Sequence, residues 1–258
     1  MANWIQENKW QDMERLIKES KGVAIIPIGS VEQHGYHLPL GTDTYVAITL
    51  AEAAAKEVDV ILIPPMWCGW SPHHMVLPGT ITIRPEILVE YLYDMIESLS
   101  QHGIKKYVLI NGHRIVNIIW MQLAAQKAQS KLGVDIKIFD PAYMSKDIVR
   151  ELEFGSVGHA DEIETSHMLY AYGQLVDMQK AQDNPIVPAE LYSVDPSYPH
   201  DTLSYVPSTL DVAKKHAEEA GGATGEPTKA TKEKGKIYHE HLVKNLVRVV
   251  ESLQRAKG

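Results

Sequence analysis

Four short apolar runs, separated by longer stretches of helical period, constrain this 258-residue chain more than any other feature of it. Val23-Ala-Ile-Ile-Pro-Ile28, Asp59-Val-Ile-Leu-Ile-Pro64, Lys106-Tyr-Val-Leu-Ile-Asn111 and Val134-Asp-Ile-Lys-Ile-Phe139 are rich in β-branched residues, as strands covered on both faces must be. Between them, Val46 to Lys56, Pro85 to Gln101 and Val116 to Leu132 carry apolar residues at helical spacing, with Pro85 suited to a first helical turn. An amphipathic helix around Trp10 to Glu19 precedes the first run, another is expected from Ile163 to Tyr172, and Ile237 to Leu253 forms the last. Such alternation predicts βα units and a mainly parallel sheet with helices on both faces.

The length suits one domain spanning 1–258. Pro185, Pro188, Pro196, Pro199 and Pro207 interrupt any periodic pattern after Asn184, so a loop or lid is expected at about 184–209. With 33 acidic and 25 basic side chains the formal charge is −8, and no Lys/Arg run is present. Nucleic acid and anionic membrane surfaces, which need clustered cations, are therefore not expected partners. Cys68 stands alone and allows no intrachain disulfide. The start of the chain lacks a signal-peptide pattern, and no run reaches the roughly 18 apolar residues of a membrane span. These features suggest a cytoplasmic protein acting on a small molecule. Its 12 histidines are unevenly placed.

Ligands of a parallel α/β sheet bind beyond the carboxyl ends of its strands. The first strand runs into Glu32, His34 and Asp43, the second into Trp70, Ser71, His73 and His74, and the third into His113 and Arg114. His159, Glu162 and Glu164 precede a later helix. Glu32 and His34 share one side of an extended segment. Asp43, taken singly, also suits a helix N-cap, Glu162 and Glu164 suit a first turn, and His113 suits a turn histidine. Together they form a mixed nitrogen and oxygen set without cysteine, suited to zinc, manganese or iron rather than to a structural zinc site. Ser30 and Ser71 lie outside a nucleophile elbow, and no glycine-rich phosphate loop follows a strand. The His239-Glu-His241 stretch reads as a solvated helix face.

Gly29 to Gly35 (Gly-Ser-x-Glu-Gln-His-Gly), Leu38 to Asp43, Pro78 to Thr80, Asn111 to Asn117 and His159 to Ser166 stand in an order that resembles the creatininase (creatinine amidohydrolase) family. Gly225 to Gly235 resembles that family's late motif. The resemblance implies a three-layer α/β/α sandwich, a homo-oligomer (often a hexamer), and two divalent ions, Zn, Mn or Fe, per subunit. It implies Glu32 and His113 on one ion, His34 on the other and Asp43 between them. Creatininase itself has a glutamate ligand where this chain has Ile115, which moves the missing ligand to Glu164, with Glu162 as second choice. Arg114 stands where many relatives have glycine.

The implied reaction uses metal-bound hydroxide to open a small cyclic substrate, at a C–N amide bond or, alternatively, at a C–C bond of a cyclic diketone from inositol or sugar breakdown. A non-catalytic metal-binding protein is a third possibility. His159 is the expected acid, with Glu162 beside it. Ser71, His73, His74 and Arg114 are expected substrate contacts, and Trp70 a wall.

Overall fold

The computed structural model describes residues 3–256 apart from 156, 187–190, 192, 197 and 199. Four parallel strands lie in the order β2-β1-β3-β4: β1 (Val23–Ile28), β2 (Ile61–Leu62), β3 (Lys106–Asn111) and β4 (Asp135–Phe139). Pleating divides β1 between two cores. Val23 and Ile25 face one of them, with α2 (Thr42–Ala54) and the terminal helix α9 (Lys232–Arg255). Ala24, Ile26 and Ile28 face the other, with α1 (Met13–Glu19), α3 (Pro85–Gln101) and α4 (Ile118–Leu132). The result is the expected α/β/α sandwich. Among the described residues no helix is long and apolar enough to cross a membrane.

The second expected strand, 59–64, shrinks to two residues because Pro64 and Pro65 follow and remove backbone donors. Pro27, inside a central strand, is tolerated for a related reason: its carbonyl accepts from Met66 N on the β2 side, where regular pairing has already ended. Helix α8 (Leu210–Ala220) was not anticipated. Thr209 caps it by accepting from Val212 N, and Gly221 closes it at φ 61°. Parts of the Pro-rich stretch fall outside the described residues. Short α5 (Pro141–Met144) and α6 (Lys146–Glu151) follow β4, and α7 (Glu162–Tyr172) packs on α9.

The chain crosses from the β2 side of β1 to the β3 side, so the topological switch point lies between β1 and β3. The loops leaving these two strands carry the Glu32–Asp43 and His113–Asn117 segments. Gly29 and Gly112 let the start of α2 press against the strand ends: a Cβ on Gly112 would lie 2.0 Å from Asp43 O, and one on Gly29 would lie 2.5 Å from Thr44 N.

Candidate metal centre

At the switch point Glu32, His34, Asp43, His113 and Glu164 converge, all buried. Asp43 stands in the first turn of α2, but the cap position belongs to Gly41 and the Asp43 side chain makes no cap. It reaches between two imidazoles instead, with Oδ1 3.1 Å from His34 Nε2 and Oδ2 3.0 Å from His113 Nδ1. His113 Nδ1 is also 3.2 Å from Glu32 Oε1. The second Glu32 oxygen is tied off by Ser71 Oγ, which donates at 2.5 Å. Glu164 Oε2 stands 3.8 Å from His34 Nε2.

Ion-ligating groups are recognised by being close, buried and lacking ordinary partners. Glu32 Oε1, Asp43 Oδ2 and His34 Nε2 are each buried without a geometrically sound hydrogen bond, although charged neighbours stand within 3.3 Å of each. His34 Nδ1 lies 3.2 Å from Glu32 O, which fixes the tautomer and turns Nε2 towards the carboxylates. Among the described residues three groups of donors could hold a cation: Glu32, Asp43 and His113; His34, His159 and Glu164; and Glu32, His74 and His159.

Electrostatics separates these carboxylates. Burial pushes the Glu32 carboxyl up to about 7, against the pull of His113. Burial also opposes ionisation of Asp43, but the charges of His34 and His113 outweigh it and hold its pKa below the usual carboxylate range. For His34, burial works against the imidazolium, and Asp43 overcomes it, raising the pKa to about 10. His113 is likewise raised to about 9, by Glu32 and Asp43 against burial. Protons on two imidazoles supply positive charge where a metal ion could supply it.

A cleft of about 280 Å³ opens onto this cluster. His73, His74, His113, Arg114, His159 and Glu164 line it together with the apolar Ile115, Val116, Val157, Ile186, Val194 and Val212 and the polar Gln33, Tyr205, Ser208, His216 and Thr224. Burial lowers His73 to about 3 and lowers His74 and His159 as well, so all three face the cleft as neutral imidazoles. Gln33 Nε2 donates to His74 Nδ1 at 2.7 Å, leaving the His74 Nε2–H towards Glu32 Oε1 at 3.3 Å. His159 Nε2 bonds Gln33 O, while its Nδ1 faces Glu32 at 3.6 Å.

Several expected residues stand elsewhere. Glu162 is turned away, because residues two apart on a helix lie about 200° apart. Its oxygens take Lys234 Nζ at 2.6 Å and Gly155 N at 2.9 Å. Ser71 is behind Glu32 and does not line the cleft. Trp70 packs on the α3/α4 core rather than forming a wall. Arg114 does line the cleft, but its charge is committed to Asp161 at 2.8 Å and Glu164 at 2.8 Å. His239, read as solvated, is buried and bonds His167 at 2.9 Å.

Sequence reasoning missed Gln33, which positions two imidazoles, and Asp140, whose Oδ2 accepts from Ile115 N and Asn111 Nδ2, both at 2.8 Å. It also missed the cleft residues Val212 and Ala213 of α8. A Thr cap, an i, i+3 apolar pattern and a closing Gly-Gly were the signal available for that helix.

This arrangement, on a parallel sheet and without a nucleophile elbow, defines a metal-dependent hydrolase acting on a small substrate. Residues 6–250 match the creatininase family, described as creatinine amidohydrolase, and the chain belongs to it. Creatinine amidohydrolase of Pseudomonas putida is 26% identical over 235 residues, covering 84% of this chain and 90% of that protein. The 3-dehydro-scyllo-inosose hydrolase of Thermotoga maritima is 31% identical over 167 residues, covering 62% of this chain and 53% of that one. A crystal structure of creatinine amidohydrolase superimposes with a TM-score of 0.81 at 23% identity, covering 99% of each chain.

Proposed function

We propose that this protein hydrolyses a small cyclic amide at its C–N bond. Glu32, Asp43 and His113 would hold one divalent ion, and His34 and Glu164 with Asp43 would hold a second. The observation that carries the reading is the set of three buried ligand atoms without a sound hydrogen bond, Glu32 Oε1, Asp43 Oδ2 and His34 Nε2, on residues of the groups that could hold a cation. When bound, such ions lower the pKa of water and polarise a carbonyl. His159 enters neutral and lines the cleft, with Nε2 on Gln33 O and Nδ1 beside Glu32, so Nδ1 takes a proton as attack proceeds and returns it to the departing nitrogen. His73 and His74 offer neutral hydrogen-bonding groups to the substrate, and Ile186, Val194, Tyr205 and Ser208 of the Pro-rich stretch line the cleft. The volume of about 280 Å³ fits a substrate smaller than a drug-sized ligand.

Ring opening of a cyclic ketone at a C–C bond is the second reading, favoured by the similarity to the inosose hydrolase. The lining of the cleft is apolar over the larger part of its surface, and the Arg114 charge is held by Asp161 and Glu164, which favours the amide over a polyol. Elemental analysis of the purified protein, expected to find about one to two Zn, Mn or Fe per chain, tests the centre; full activity of ion-free protein refutes it. Turnover of lactams and cyclic ureides but not of keto-inositols supports C–N cleavage, and the reverse pattern selects the second reading.

A further inference from the structure

The carboxylates of the centre are not equally available. Glu32 Oε1 and Asp43 Oδ2 are buried without a sound hydrogen bond and face imidazoles, whose protons an arriving ion displaces. Both oxygens of Glu164 are already engaged. Arg114 Nε donates to its Oε1 at 3.1 Å with Nη2 at 2.8 Å, and Ala160 N donates to its Oε2 at 2.7 Å. Arg114 is anchored in turn, with Nη2 on Asp161 Oδ2 at 2.8 Å and on Gly158 O at 3.4 Å. A permanently charged guanidinium thus touches one prospective ligand. The groups within contact of Glu32 are a serine hydroxyl and imidazoles, none of which carries an obligatory charge.

We propose that the two ion positions fill unequally: Glu32–Asp43–His113 binds first, and His34–Asp43–Glu164 binds weakly because Arg114 competes for Glu164. This inference rests on the function proposed above. An incoming divalent ion at the second position takes a carboxylate already held by Arg114 and by Ala160 N. Asp161 offsets much of the guanidinium charge, so the penalty lies in displacing these donors, and the loss of one charge-assisted hydrogen bond weakens the second ion by about tenfold or more. The protein would then hold one ion firmly and take up the other according to its free concentration, so that Arg114 sets the concentration at which the paired centre assembles.

Chelator-stripped protein titrated with Mn²⁺, followed by calorimetry and by electron paramagnetic resonance, tests this without recourse to turnover. The expected result is one tight equivalent giving the six-line signal of an isolated ion. A second equivalent follows with Kd at least about tenfold higher and the loss of that signal through spin coupling. Arg114→Met should narrow the gap to within about threefold, and Glu164→Gln should remove the second step while leaving the first intact. Uptake of two equivalents in one step by the native protein, or an unchanged gap in Arg114→Met, overturns the inference while leaving the proposed function standing. Loss of both steps in Glu164→Gln also overturns it, and covers the case in which the arginine variant fails to fold. Absence of any uptake by the native protein overturns the proposed function and this inference with it.

Discussion

Replacing Ser71 by alanine separates two roles that the same residue could play. By its place after the second strand, Ser71 is expected to touch substrate; in the structure its hydroxyl donates to Glu32 Oε2 at 2.5 Å and lies 2.6 Å from Ser30 Oγ. Its backbone N donates to Thr82 Oγ1 at 2.8 Å, so the loop holds its course when the hydroxyl is removed. A hydrogen bond to a carboxylate contributes about 1.5–3 kcal/mol. At about 1.4 kcal/mol per decade, Ser71→Ala is expected to weaken ion binding by roughly ten- to a hundredfold. Competition against a chelator of known affinity reads that change. At saturating metal, kcat and KM should stay within about twofold of the native values, because nothing facing the cleft has been altered. A KM raised by about tenfold or more with ion affinity unchanged would refute the reasoning and return Ser71 to the substrate.

His159→Gln should lower kcat by about 10²–10⁴ with the ion content unchanged; loss of ions instead would make His159 a ligand. Ile115 has φ 68°, a left-handed conformation that a β-branched side chain resists, so Ile115→Gly should be about 1 kcal/mol more stable than Ile115→Ala in urea unfolding. Equal stability of the two would remove strain from the account of this turn. His239 is held near 4 by burial first and the Lys56 charge second, below its ordinary value of 6.5. Between those pH values the unfolded chain binds a proton that the folded one refuses. Stability is therefore full above about pH 6.5 and falls by about 3 kcal/mol on acidification to pH 4. His239→Asn should flatten that decline, and identical slopes for the two proteins would exclude His239 as its source.

The strands and most helices were legible because burial on both faces leaves continuous apolar runs, and helices covering a sheet keep a periodic stripe. What was not legible was direction. Glu162 and Glu164 look equivalent in sequence, yet the helix sends one to Lys234 and the other towards His34. Asp43 could have been a cap; only the closeness of Gly112 to its backbone brings it between two histidines. His239 looked solvated because the charged neighbours Glu240 and His241 masked the buried stripe of α9, into which it falls one turn before Val243. Arg114 was legible as a charge near the site but not as a charge already spent, since its partners Asp161 and Glu164 lie 47 and 50 residues away.

Three carboxylates share nearly the same depth and strand edge, yet they are driven to different states, and the neighbours that divide them also state what the cluster is for. Asp43 is flanked by two protonated imidazoles and stays ionised. Glu32 shares one of those imidazoles, and burial lifts it to about 7. Burial raises Glu164 as well, even with Arg114 in contact. A cluster built to keep a carboxylic acid neutral would give Glu32 an acceptor for its proton. Its Oε1 instead faces imidazole nitrogens without a sound hydrogen bond, and Oε2 already takes the Ser71 hydroxyl. An oxygen with no acceptor within hydrogen-bond reach, the His159 Nδ1 standing off at 3.6 Å, is stabilised most by a cation in surroundings that penalise its charge. The depth that raises Glu32 is then the same depth that makes an ion there hard to lose.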